Sequence, residues 1–454
     1  MADLTSRLRD IIRSAPRPAP RELTYVPEGG YEAGIDPDRI CDVLGGNPIE
    51  TAAGPCLAID RRYEADRWHG DVRIAECAVA DDERLQLLDG MLDPASGGGR
   101  VIFLDTETTG LSGGAGTVAF LVGCGWFDLG AFQIRQFLLT GFAAEPALLA
   151  AVADFVAPAD LIVTYNGKTF DLPLMETRWL FHRMETPFAG KRHFDMLHPA
   201  RRLWRRRTSV AQGFSPAPAS GGPDSADDGC SLGALERALV GFARAGDVPG
   251  FEIPSRYFQF LRSGDPRPLA AVLEHNRLDL VSLAAVVARG QRLVDGGVEA
   301  CRDAAESLAL GGLFDRGGRH AQAEACYRRA SVEGDAPVRA EALLRLALKW
   351  RRERRFGEAA EVCRVILNLG TGQRSVDIAR RFALEALAVH HEHRERDLEA
   401  AREFALAALD ADERPRWRQG VQYRLARLER KLSGVHGEGG PAAAPLLDDH
   451  RESD

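Results

Sequence analysis

Val101-Ile-Phe-Leu-Asp105-Thr-Glu107-Thr-Thr-Gly-Leu111 is the stretch from which the fold is read. Its first four residues are apolar and partly β-branched, as suits a short strand buried on both faces. The run ends on two acids with a single residue between them. Side chains alternate along a strand, so Asp105 and Glu107 face the same way, and carboxylates that close repel unless a cation lies between them. They form a natural half-site for Mg²⁺ or Mn²⁺. A turn after a strand also accounts for Asp and Thr at this place, so the pair needs company elsewhere in the chain.

Upstream, residues 1–95 mix Pro, Gly and charge with short apolar pieces such as Cys56–Ile59 and Val72–Ile74, an N-terminal extension carrying short strands. Downstream, Val118–Val122 and Phe132–Leu139 predict two more strands and an antiparallel opening to a mixed sheet. Glu145–Phe155 has helical spacing, Leu161–Thr164 is another buried strand, and helix and strand alternate from there. Residues 212–229, rich in Pro, Ala, Ser, Gly and Asp, have little to bury and read as a flexible insertion. Ser231 is placed as an N-cap for a helix to Leu239, and Pro268–Arg289 carries a long amphipathic pattern.

The second apolar strand also ends in chemistry. Tyr165-Asn166-Gly-Lys168-Thr-Phe-Asp171 follows it, with Asn166-Gly167 as the turn and Pro173 in the first turn of a helix, where Pro is tolerated. Asp171 at that place is either an acid of the site or a helix cap. Glu274-His275-Asn-Arg-Leu-Asp279 lies in the long helical pattern, where residues four apart share a face, as surface pairs also do. Lys168 is a candidate phosphate contact or a solvated loop lysine. Five arginines between Arg201 and Arg207 surround Trp204, a charged helix face that would also offer phosphates a partner and a base a ring to stack on. His193 and His198 flank Asp195 without metal-ligand spacing and are read as structural.

A chain of 454 residues exceeds one ordinary core. Beyond Glu299 it becomes nearly continuous Ala, Leu, Arg and Glu. There Trp350, Phe356, Ala359 and Ala360 follow Phe314, His320, Ala323 and Glu324 at a constant offset, close to the tetratricopeptide period. The expected organisation is the extension (1–95), an α/β domain (96–295), tetratricopeptide-like helical repeats (299–432) that mainly contact their own neighbours, and a disordered tail (433–454). The 8 cysteines form no C-x-x-C pair, so neither a disulfide framework nor a zinc knuckle is expected. A net charge of -8 excludes a protein coated in basic surface, and nucleic-acid binding would need a local patch and bound cations. No apolar run is long enough to span a bilayer and the first residues carry acid early, so a cytoplasmic location without membrane is expected.

The three acidic segments in this order resemble the DEDD superfamily of exonucleases and, within it, the YprB-type ribonuclease H-like family, over about Val101 to Arg289. Phe103-Leu-Asp105-Thr-Glu107-Thr-Thr-Gly-Leu111 resembles the first exonuclease motif, Asn166 and Asp171 the second, and Asp279 the third. Phe194-Asp195 and Cys230-Ser-Leu-Gly-Ala-Leu235 are similar to the segments between. The resemblance implies an α/β, ribonuclease H-like mixed sheet flanked by helices, with an all-α repeat region after it.

It further implies a metal-dependent 3′-to-5′ exonuclease acting on single-stranded DNA or RNA with two divalent cations, Mg²⁺ or Mn²⁺, about 3.5–4 Å apart. Asp105, Glu107, Asp171 and Asp279 would hold the ions. Thr108, Thr109, Leu111, Asn166 and Lys168 would meet the substrate. His275 stands four residues before Asp279, the spacing of the tyrosine subclass, where the histidine subclass has five; the general base is expected there. The repeats would present a surface to a protein partner. The competing class is a catalytically silent nucleic-acid-binding or scaffold protein that acts through its repeats.

Overall fold

The computed structural model describes residues 37–79, 82–94, 99–110, 116–211, 229–411 and 415–433. Leu111, the first 36 residues of the extension, the insertion through residue 228 and the tail from residue 434 lie outside them. Nine strands are described: β1 (Asn47–Thr51), β2 (Gly54–Tyr63), β3 (Trp68–His69), β4 (Val72–Arg73), β5 (Arg100–Thr108), β6 (Ala119–Asp128), β7 (Ala131–Leu138), β8 (Ala159–Thr164) and β9 (Arg192–Asp195). Seven of them form one mixed sheet in the order β1-β2-β7-β6-β5-β8-β9, and β3 and β4 form a separate two-stranded sheet.

From β1 to β5 the neighbours are antiparallel. From β5 through β8 to β9 they are parallel. Thus β5 sits where the pairing changes, and the carboxyl ends of β5 and β8 point the same way. Ligands in open α/β sheets bind outside such ends. The N-terminal extension adds β1 and β2 to this sheet through β7, a pairing between distant segments that no local pattern encodes.

Alternation along β5 sorts the core. Ile102 and Leu104 enter one apolar cluster with Phe120, Val122 and Trp179, and Phe103 enters the other with Phe132 and Ile134. Continuing that period puts Asp105 and Glu107 on the side of Phe103.

Among the helices, those of ten residues or more are α1 (Glu145–Val156), α2 (Asp171–Phe181), α3 (Leu197–Ala211), α4 (Ile253–Ser263) and α5 (Arg267–Gly296) beside the sheet. There follow α6 (Ala304–Arg316), α7 (His320–Glu333), α8 (Ala336–Arg352), α9 (Phe356–Leu367), α10 (Arg374–His390), α11 (Leu398–Asp410) and α12 (Pro415–Leu432). Ser231 does stand at an N-cap, but its side chain makes no capping bond, and the helix Leu232–Leu235 passes into a π turn over Glu236–Val240. Among the described residues, no helix is long and apolar enough to cross a membrane.

The sequence offset seen after Glu299 has a backbone counterpart. Arg319 and Arg355 precede α7 and α9 with nearly the same angles, φ -85° and ψ 63° against φ -82° and ψ 61°. Their N–H groups bond back to the carbonyls of Phe314 and Trp350 respectively, both at 2.8 Å. Asp303, Asp335 and Asp397 each cap a helix by accepting from the N–H three residues on.

The array is not a separate body, however, because the cluster holding Phe103 continues through α5 into α6 to α10. Glu306, 1% exposed, joins the two parts: it accepts from Trp204 Nε1 at 2.9 Å, from Arg289 at 3.0 Å and from the N–H of Arg302 at 2.6 Å. Trp204 is therefore a buried girder, not a ring on which a base can stack.

Candidate active site

Asp105 on β5 pairs across the sheet with Gly123 of β6, which pairs with Gln136 of β7. Above this row crosses α5. Asn276 of α5 comes down onto Gly123, where an added Cβ would lie only 2.2 Å from its Oδ1. A glycine is required for so close an approach. Once seated, Asn276 donates from Nδ2 to Asp105 Oδ2 at 2.8 Å and accepts at Oδ1 from Gln136 Nε2 at 2.8 Å. The Gln136 amide also donates to the Leu273 carbonyl at 2.9 Å. Asn276 is fully buried and each bond replaces one to water, so the helix is fixed in register on the sheet.

That register brings the flanking residues of α5 to the end of β5. His275 Nε2 lies 3.3 Å from Asp279 Oδ2. Single donor atoms of Glu107, His275 and Asp279 all lie within 4.8 Å of one another. Asp171 arrives from the other side, at the first residue of α2, where Phe170 holds the cap position. Its Oδ1 accepts from Thr106 Oγ1 at 2.5 Å, turning the carboxylate toward β5. The structure thus brings together the four acids and the histidine named from the sequence.

The electrostatics show how uneasy the cluster is. Burial, then Asp279, Glu107 and Asp171, push the Asp105 carboxyl well above its usual range. Glu107 is also raised well above its usual range, by burial and then by Asp279, Asp171 and Asp247. Burial pushes Asp171 up to about 6, against the hydrogen bond from Thr106. Asp279 is raised by burial although Arg244 and His275 oppose it. Like charges gathered in a low-dielectric floor are a site poised for cations.

Arg244 is the compensating charge that sequence reading missed. It reaches Asp279 Oδ1 at 2.6 Å, Asp247 Oδ2 at 3.1 Å and Glu236 Oε2 at 2.8 Å. Glu236 is buried on the π turn; bonds from His69, Ser282 and Arg244 outweigh its burial and keep it below the usual range. Asp247 also accepts from His275 Nδ1 at 2.8 Å. Leu232, Gly233, Arg237 and Ala243 complete the wall of a cleft of about 450 Å³ over His275 and Asp279. Arg244 and Asp247 lie in an irregular segment without periodicity, so nothing flags them in the sequence. Asn276 did leave a trace, as the polar residue in an apolar stripe with Leu273 and Leu280.

The expected substrate contacts are placed more variously. Thr108 Oγ1 donates to the Gly110 carbonyl at 2.8 Å, and Thr109 Oγ1 accepts from the Val118 N–H at 3.0 Å, so both hydroxyls shape the loop after β5. Asn166 takes a left-handed φ of 66° in the turn after β8. The N–H groups of Asn166 and Lys168 donate to Asp195, which is a structural brace for that turn. The Lys168 ammonium is paired with buried Asp89 at 3.1 Å. His193 bonds Thr164, and burial lowers it to about 4, in keeping with a structural role.

Set beside known proteins, residues 102–290 match the RNase_H superfamily. The uncharacterized protein YprB of Bacillus subtilis (strain 168) is 30% identical over 340 residues, which is 73% of this chain and 75% of that one. Among solved structures, the family B DNA polymerase of the archaeon Pyrobaculum calidifontis is 12% identical over 50% of this chain and 30% of its own. Its TM-score of 0.29 is too low to build on.

Proposed function

Because the chain belongs to the YprB-type family of ribonuclease H-like proteins, a superfamily that points to nuclease activity, we propose that it is a metal-dependent 3′-to-5′ exonuclease of single-stranded DNA or RNA. What supports this reading is the meeting of Asp105, Glu107, Asp171 and Asp279 from three separate segments at one end of β5, where the Arg244 guanidinium is bonded to Asp279. Carboxylate oxygens are donors that suit Mg²⁺ or Mn²⁺. Bound there, two such ions supply an activated water and charge for the leaving oxygen.

The protein's own residues prepare the ground. Asn276 fixes the Asp105 carboxylate from one side and Thr106 fixes Asp171 from the other. The backbone around Thr108 and Thr109 and the turn at Asn166 flank the acids, and the sugar–phosphate chain runs between them in this proposal. Leu111, a substrate contact in the same proposal, lies outside the described residues. Lys168 can touch phosphate only by leaving Asp89.

The experiment is cleavage of 5′-labelled single-stranded DNA and RNA, in parallel, with Mn²⁺ or Mg²⁺. A ladder shortening from the 3′ end, abolished by EDTA and by Asp105→Asn, is expected. Intact substrate with both ions would instead leave a catalytically silent nucleic-acid-binding or scaffold protein.

A further inference from the structure

The His275 ring lies between two carboxylates, with one at each of its nitrogens. Asp247 accepts at Nδ1, which places the proton of a neutral ring there and turns the Nε2 lone pair inward. That lone pair meets Asp279 Oδ2 at 3.3 Å, with a Glu107 oxygen also inside the same 4.8 Å group. With the Nδ1 proton given to Asp247, Nε2 and Oδ2 come together only with a proton or a metal cation between them. Arg244 does not fill that place, since its bond is to the other oxygen of Asp279. Metal-binding histidines are ordinarily held in this way, by a carboxylate on the far nitrogen that sets tautomer and ring orientation.

Building on the metal-nuclease reading, we propose that His275 is itself a ligand, binding a divalent cation through Nε2 together with Glu107 and Asp279 Oδ2, with Asp247 as the positioning residue behind the ring. His275 is then not a free general base. Arg244 pins Asp279 Oδ1 and leaves Oδ2 for the ion, so guanidinium and metal occupy different oxygens. An imidazole donor also shifts the site away from Mg²⁺, which prefers oxygen, toward Mn²⁺.

The test uses the full chain loaded with one equivalent of Mn²⁺ and read by pulsed electron paramagnetic resonance in frozen solution. A ¹⁴N coupling of a coordinated imidazole is expected, replaced by ¹⁵N in protein grown on labelled histidine and absent in His275→Gln. Calorimetry should show Asp247→Ala weakening Mn²⁺ by about 10–100-fold, the usual cost of removing such a support, and Asp247→Asn weakening it less. Bound Mn²⁺ without nitrogen coupling, or a coupling that survives His275→Gln, overturns the assignment while leaving the nuclease reading intact. An imidazolium resting between Asp247 and Asp279 would give that first result. Failure to bind Mn²⁺ at all overturns both.

Discussion

Gly123 is worth more to the site than its missing side chain suggests. Adding a methyl group there would meet Asn276 Oδ1 at 2.2 Å and Leu280 Cδ1 at 2.9 Å, so α5 must lift. Gly123→Ala is expected to cost about 1–3 kcal/mol, as overpacking of a tight core does, and to weaken Mn²⁺ binding. Thermal melts and calorimetry check it; an unchanged melt with unchanged affinity would mean that Asn276 is not seated as described.

The acids make a second prediction at the same scale. Asp105, Glu107, Asp171 and Asp279 all titrate higher in the folded chain than in the unfolded one, so the folded state holds more protons. The stability they contribute is present at low pH and is lost as pH rises through the Asp171 value of about 6 and above. Cation binding needs the ionised forms. Mn²⁺ should therefore raise the melting temperature more at pH 7.5 than at pH 5, and an equal rise at both would contradict the pKa directions.

At the scale of elements, the repeats invite a comparison within the molecule. Gly318 and Arg354 stand just before the matching residues Arg319 and Arg355, with φ of +72° and +60°. A left-handed backbone costs a side-chain-bearing residue about 1–2 kcal/mol that glycine avoids, less what glycine adds in chain entropy. Arg354→Gly should thus stabilise by about 0.5 kcal/mol, and a lowered melting temperature would show that the arginine side chain contributes contacts of its own.

Much of this level was legible beforehand. The apolar runs of β5 and β8 ended on Asp105 and, across a turn, on Asp171, and the helical spacing of α5 put His275 and Asp279 on one face. What stayed hidden depends on distant contacts. Nothing in Gly54–Tyr63 says that it pairs with β7, and nothing in the segment holding Arg244 and Asp247 says that it folds back onto α5. Trp204 looked accessible among arginines because the sequence does not show that Glu306 closes over it.

For the whole molecule, the shared core sets the expectation. Removing Glu306 leaves Arg289, Trp204 Nε1 and the Arg302 N–H without their buried acceptor. Breaking one side of a buried ion pair typically costs about 3–5 kcal/mol, so Glu306→Ala should lower the melting temperature strongly. Because one cluster runs from β5 to α10, fluorescence and circular dichroism should report a single transition for both parts. Two well-separated transitions, or a chain ending at residue 303 that melts like the full protein, would show that the sheet domain stands alone.

Helix α5 gives this unity a mechanical sense. Its 30 residues make a rod about 45 Å long, with His275 and Asp279 in one half and, in the other, Arg289 tied to Glu306 beneath the array. A rod has no slack. Whatever grips the array grips the handle of a lever whose working end carries two residues of the candidate site, and a load on one is a torque on the other.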